Sequence, residues 1–87
     1  MYYVYVLKSE SVSEKYYIGY SSDLRKRLEY HNQGDSLSTK RYLPWTIVYY
    51  EAYRSRRDAM ERERQLKRHG GAWNHLRNRI VRSLNES

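Results

Sequence analysis

The sequence predicts an α/β (α+β) domain in which a small sheet is flanked by helices. Two observations carry this. Three runs, 2–7, 16–20 and 45–53, are rich in aromatic and β-branched residues, the composition of strands. Three others, 24–32, 55–68 and 72–84, space their apolar residues at helical intervals, and residues suited to caps flank the first two. Eighty-seven residues are too few for two cores, so the whole chain, 1–87, is expected to form one domain with its core in 2–68 and a packing helix at about 72–84.

In the first run Tyr3, Tyr5 and Leu7 face one way and Tyr2, Val4 and Val6 the other, the pattern of an inner strand buried on both faces. The polar segment KSESVSEK then leads to YYIGY, and the simplest connection is an antiparallel hairpin. Gly19 closes that run, where a residue without Cβ permits a bend or a close approach. Ser21, Ser22 and Asp23 are suitable N-caps for the next helix. Within it Leu24, Leu28 and His31 share a stripe. Arg27 borders that stripe and is expected against the protein body, whereas Arg25, Lys26 and Glu29 face water. Asn32 to Gly34 supply a terminator.

A polar loop over 34–44 carries Thr39, Lys40 and Arg41. In the third strand, alternation puts Val48, Tyr50 and Ala52 on one face and Ile47, Tyr49, Glu51 and Tyr53 on the other. Ser55 caps the second helix, with Asp58 in its first turn and Gly70 and Gly71 beyond its end. Ala59, Met60 and Leu66 define its inner face, and Glu63 projects into that stripe. A carboxylate there is costly unless paired or bound to a cation, so a structural salt bridge and a metal ligand both remain open. Trp73, Leu76, Ile80 and Leu84 give the last segment a single packing face, with Arg77, Arg79 and Arg82 elsewhere.

Composition narrows the function. With no cysteine, disulfides and thiolate metal sites are excluded. No signal-peptide pattern and no run of about 20 apolar residues is present, so a cytoplasmic protein is expected. Eleven tyrosines replace phenylalanine entirely, combining ring packing with a polar hydroxyl. The net charge of +7 is uneven: residues 1–51 hold seven basic and six acidic groups, residues 52–87 ten and four. Arginine dominates the excess, and its planar fork suits phosphate oxygens, which favours nucleic acid over a merely solvated surface.

Tyrosine hydroxyls from the hairpin, Arg27 and His31 from the first helix and Glu63 from the second all lie on elements that face the sheet. Phosphodiester hydrolysis needs a cationic clamp, a group that activates water and charge stabilisation at the leaving oxygen. One carboxylate with substrate phosphate is a normal way to hold Mg²⁺, which keeps most of its waters. A tyrosine base, with a free pKa near ~10, needs a neighbouring cation.

These residues resemble the GIY-YIG nuclease superfamily, in its small stand-alone bacterial form. Tyr3-Val4-Tyr5 stands at the first motif, with Tyr3 and Val4 in place of glycine and isoleucine, and Tyr17-Ile18-Gly19 matches the second. DLRKRLEYHN resembles the first helix and ERQLK the helix bearing the metal-binding glutamate. The resemblance runs from Tyr3 to about Arg68. It implies a three-stranded antiparallel sheet flanked by helices and one divalent ion, Mg²⁺ or Mn²⁺, on Glu63. Tyr17 would be the general base, Tyr5 would orient water or phosphate, and Arg27 would stabilise phosphate charge. His31 would tune a tyrosine or touch phosphate. Asn74 is a loose counterpart of an asparagine found after the glutamate in some relatives.

The expected activity is metal-dependent hydrolysis of DNA, structure-sensitive and weakly sequence-specific, of use in DNA repair. Lys40, Arg41, Arg64, Lys67 and Arg68 are the candidate nucleic-acid contacts. A protein partner is a further expected source of specificity, since the separate DNA-binding domains of larger relatives have no counterpart here. The alternative is a non-catalytic nucleic-acid-binding module on the same fold.

Overall fold

The computed structural model describes residues 1–34, 36–68 and 70–85. Strands β1 (Tyr2–Ser9), β2 (Tyr16–Ser21) and β3 (Trp45–Tyr53) form one sheet, interleaved with helices α1 (Leu24–Asn32), α2 (Arg56–Lys67), α3 (Gly71–Arg79) and α4 (Val81–Asn85). The strand order is β2-β1-β3 and both pairings are antiparallel, as the sequence led us to expect. β1 is therefore the inner strand, and its two faces are both covered. Val4 and Val6 meet Ala59, Leu66 and Leu76 on the α2–α3 side. Tyr5 and Leu7 meet Trp45, Leu24 and Leu28 on the α1 side. Burying an aliphatic side chain of this size stabilises the fold by roughly 1.5–3 kcal/mol, so these few β1 residues hold three layers together.

Local signals set the helix ends. The Asp23 carboxylate accepts from Lys26 N–H at 3.0 Å and starts α1, and Ser55 Oγ accepts from Asp58 N–H at 3.3 Å to start α2. Gly34, at φ +78°, takes the left-handed conformation that ends the first helix and donates to His31 O.

Four expectations are corrected. Gly19 does not close β2; it sits inside the strand, paired with Tyr5, and the ladder continues to Ser21. Simple alternation fails in β3, because its register against β1 shifts between Val6 and Leu7: Val6 pairs with Tyr49 and Leu7 with Ile47, leaving Val48 as an extra residue. Ile47 therefore packs on the α1 side and Tyr49 on the α2–α3 side, rather than sharing a face. Met60 is exposed, and α2 turns Ala59 and Leu66 inward with Arg62 half-buried between the helix and β3. Finally, the last segment is two helices, with Ile80 at φ −111° and ψ 23° between them. α3 lies on α2 and α4 on β3, so the break turns the chain between two differently inclined surfaces and buries both Leu76 and Leu84.

Arg62 has a partner that sequence spacing did not reveal. Its Nε and Nη2 donate to both oxygens of Glu51, at 2.9 and 3.1 Å, while the Tyr49 and Tyr53 hydroxyls donate to the same carboxylate. Burial alone would raise the Glu51 carboxyl, but the donors from Arg62, Tyr49 and Tyr53 outweigh it and hold it below its ordinary value. Burial and the bond to that carboxylate push the Tyr49 and Tyr53 phenols up to about 12. This cluster ties α2 to β3.

Candidate active site

The α1 side of the sheet brings the hairpin tyrosines together. Strand pairing sets Leu7 opposite Tyr17 and Tyr5 opposite Gly19, so both phenol rings emerge on one face, with centroids 6.4 Å apart. The centre of this arrangement is the missing side chain of Gly19. A Cβ there would lie 2.4 Å from Tyr5 Oη and 3.1 Å from Cε1 of Tyr17, so the glycine is the space in which the Tyr5 hydroxyl sits.

His31 comes up beneath this pair from the last turn of α1, 1% exposed, with its ring centroid 4.7 Å from that of Tyr17. Its Nε2 is 3.1 Å from Tyr5 Oη and its Nδ1 is 3.1 Å from Thr39 Oγ1. Burial, and then the positive charge of Arg27, hold the imidazole below its ordinary value, so it is neutral near pH 7 and carries one proton. Burial first, then the neighbouring Tyr17 phenol and the Glu63 carboxylate against the opposing Arg27, push the Tyr5 phenol well above its ordinary value. A protonated Tyr5 donates to Nε2, which leaves the imidazole proton on Nδ1 to be donated to Thr39 Oγ1. The Thr39 hydroxyl in turn is directed at Ser36 O, 3.5 Å away. The Tyr5 proton is thus committed to His31, and the hydroxyl oxygen lies against the Gly19 backbone.

Thr39 itself is 1% exposed and was read from sequence only as a polar loop residue. The loop is held by Asn32, whose side chain accepts from Trp45 N–H at 2.7 Å and donates to Trp45 O at 3.0 Å, and by Trp45 Nε1, which donates to Thr39 O. Asn32, expected from the sequence only as part of the helix terminator, is the missed positioning residue.

Glu63 and Lys67 approach the tyrosines from α2, which packs on β2. Their side chains pair at 3.3 Å, and the Lys67 ammonium lies 5.6 Å from the centroid of the Tyr17 ring. The Glu63 side chain is 23% exposed, neither locked in the core nor free in solvent. Arg27 is exposed rather than set against the protein body; its guanidinium lies 5.5 Å from the Tyr30 ring centroid, and its charge acts on both Tyr5 and His31. Tyr5, Tyr17, Gly19, Arg27, His31 and Glu63 are thus brought to one region.

The candidate nucleic-acid residues divide. Lys67 belongs to the site just described. Arg64, paired with Glu61, and Arg68 share the exposed groove of α2 with it. Lys40 and Arg41 lie on a short 3₁₀ turn, Lys40–Tyr42, where Arg41 is 6.0 Å from the Tyr42 ring centroid. Asn74, in α3, borders a cavity with Leu66, Lys67 and Trp73, adjacent to Lys67 rather than to the tyrosines.

Two of the shifted groups, His31 and Glu51, set an acid profile. Unfolded His31 takes up a proton near its ordinary value, about pH 6.5, where the folded form remains neutral, so this stability is full above that pH and lost as pH falls below it. The Glu51 contribution is present above the ordinary carboxyl value, about 4.3, and is lost as pH falls through its depressed folded value. Thermal unfolding measured from about pH 8 to pH 3 is expected to decline in two limbs, with the upper limb absent in His31→Gln. A wild-type profile flat down to about pH 5 would contradict this account of His31.

Among the described residues, no group of three or more His, Cys, Asp or Glu is placed to hold a metal, and no helix is long and apolar enough to cross a membrane. Residues 1–79 match the family model described as the GIY-YIG catalytic domain, a nuclease-type family whose fold points to nucleic acid. Over 67 residues, 76% of the chain, it is 42% identical to a UPF0213 protein of Streptococcus pneumoniae serotype 4 (strain ATCC BAA-334 / TIGR4) and covers 66% of that protein. It is 43% identical, over the same share, to a UPF0213 protein of Streptococcus pyogenes serotype M3 (strain ATCC BAA-595 / MGAS315) and covers 71% of it. No solved structure matches.

Proposed function

We infer that this chain, which belongs to the GIY-YIG family, is a divalent-metal-dependent nuclease that cuts phosphodiester bonds in DNA, acts as a single catalytic domain in the cytoplasm, and is structure-sensitive and weakly sequence-specific. The observation that carries the reading is the gathering, around the Tyr5–Tyr17 pair, of a buried imidazole bonded to Tyr5 and of an exposed guanidinium and a partly exposed carboxylate whose charges act on Tyr5.

Nucleases of this family generally use divalent metals, and the donor set here fits one hydrated ion held by a single carboxylate and substrate phosphate rather than a cage of protein ligands. Glu63 would hold it, and the ion would neutralise charge on the phosphoryl oxygens. As water adds to phosphorus and the ester P–O bond breaks, Tyr17 in its ionised form takes the water's proton and returns it to the departing alkoxide. Tyr5, which keeps its proton and donates it in a hydrogen bond to His31, accepts from that water and aims it. The two filled nitrogens of His31 support tuning of Tyr5 over contact with phosphate. Arg27 stabilises the charge that develops on the phosphoryl group. Lys67, Arg64 and Arg68 guide the strand along α2, with Lys40 and Arg41 as outlying contacts; a protein partner would add specificity.

The Glu63–Lys67 pair also favours a second reading, a binding module whose carboxylate serves only as a structural partner. Incubation of branched, nicked and single-stranded DNA with Mg²⁺ or Mn²⁺ separates the two. The nuclease reading predicts metal-dependent products on at least one substrate. Binding that weakens steeply with salt, with no turnover on any, would establish the second.

A further inference from the structure

A second concavity of about 340 Å³ opens beside the tyrosine cluster, at the end of the sheet where β2 runs into α1 and β3 into α2. Tyr2, Tyr20, Ser21, Ser22, Arg27 and Arg56 line it, without a carboxylate. Strand pairing explains the grouping: Val4 lies opposite Tyr20 and Tyr3 opposite Ser21, so the end of β2 adjoins the start of β1. Arg56, the first residue of α2, arrives from the other side of the sheet to Arg27. Arg56 Nε donates to Tyr20 Oη at 3.2 Å, which steadies the guanidinium and engages only one edge of the fork. Among the described residues neither arginine forms an ion pair.

Two exposed guanidinium groups beside the exposed Ser22, with no carboxylate in the lining, form a receptor for a tetrahedral oxyanion. We propose that this cavity binds a second backbone phosphodiester of the substrate strand, next to the one at the tyrosine cluster, with Arg27 reaching both and Arg56 serving the second alone. The proposal rests on the nuclease reading above. Arg56 then fixes the register and direction in which a strand enters, without reading bases. Such a contact accounts for how a chain this small aligns a scissile bond with a cluster on one edge of its sheet.

The test is NMR titration and salt-dependent binding with a single strand of about ten nucleotides, comparing wild type, Arg56→Gln and Arg56→Lys without metal. Arg56 is exposed, so neither substitution disturbs the core. The strand is expected to move the Arg56 Nε–H and Ser22 amide signals, whereas a strand with neutral methylphosphonate linkages leaves them in place. Arg56→Gln is expected to weaken binding about tenfold and to lower the salt slope by about one. Arg56→Lys restores charge without the fork and regains only part of the affinity. Unchanged affinity and slope in Arg56→Gln, while the Tyr17 and Lys67 signals still respond to the strand, would overturn the second phosphate site and leave the nuclease reading standing. Shifts produced by inorganic phosphate but not by the strand would show a free-anion site and overturn it as well. No response to any probe, at Tyr17 or at Arg56, would overturn the second phosphate site, and the nuclease reading is then decided by the metal-dependent cleavage test above.

Discussion

Replacing Glu63 with glutamine is expected to lower metal-dependent cleavage about 10³-fold, or ~4 kcal/mol of transition-state stabilisation, with little change in melting temperature. The two effects separate because the side chain has different neighbours in the two roles. As a structural group Glu63 has one ion pair, to Lys67 at 3.3 Å across one helical turn, with the lysine half-exposed. Pairs of that kind contribute only about 0.3–0.5 kcal/mol. As a ligand it is a carboxylate whose charge acts on the Tyr5 phenol, and no group of three or more metal-ligating side chains is available among the described residues to replace it. Glutamine keeps shape and hydrogen bonding while removing the charge that holds a cation. A variant cutting at the wild-type rate would remove Glu63 from the mechanism. Equal loss in stability and activity would assign it to the fold.

Gly19→Ala is expected to cost about 3 kcal/mol of stability, near 15 °C in melting temperature for a domain this size, and to abolish cleavage. The glycine's backbone is ordinary strand, so the penalty is steric. The added methyl would stand 2.4 Å from Tyr5 Oη and 2.6 Å from its Cζ. Tyr5 is 2% exposed and packed with Leu7 and Trp45, so the ring has no route of escape except to give up its bond to His31 or to push the β2 edge away. Overpacking contributes roughly 1–3 kcal/mol and the broken buried hydrogen bond a similar amount. Thermal melts with the His31 Nδ1–H resonance as a local probe test this. A melting temperature within about 2 °C of wild type and an unchanged resonance would show that the site adapts and that Gly19 is not a steric requirement.

Particular residues show why some of the site was legible before the structure and some was not. His31 and Glu63 could be proposed because each sits on a helix whose period of 3.6 says where the side chain points, whereas Tyr17 was singled out among the hairpin tyrosines by the resemblance to the family's second motif. Thr39 and Asn32 could not, since a loop has no period and their partners, His31 and Trp45, are selected by how the loop folds back. Met60 was misassigned because α2 rotates to place Arg62 on Glu51, an ion pair between residues eleven apart on different elements. The exposure of Arg27 follows likewise from the way α1 is rolled against the sheet rather than from its spacing to Leu24 and Leu28.

By itself the sequence determined the element order, the inner position of β1, the capped helices and the set of chemically capable side chains, because these follow from local propensity, hydrophobic period and charge. Tertiary structure decided the extra residue in β3, the turn at Ile80, the void at Gly19 that holds the Tyr5 hydroxyl, and the direction of the proton between Tyr5 and His31. Each of these depends on distances between groups far apart in the chain, and such distances come into being only when the sheet closes and the helices pack on it.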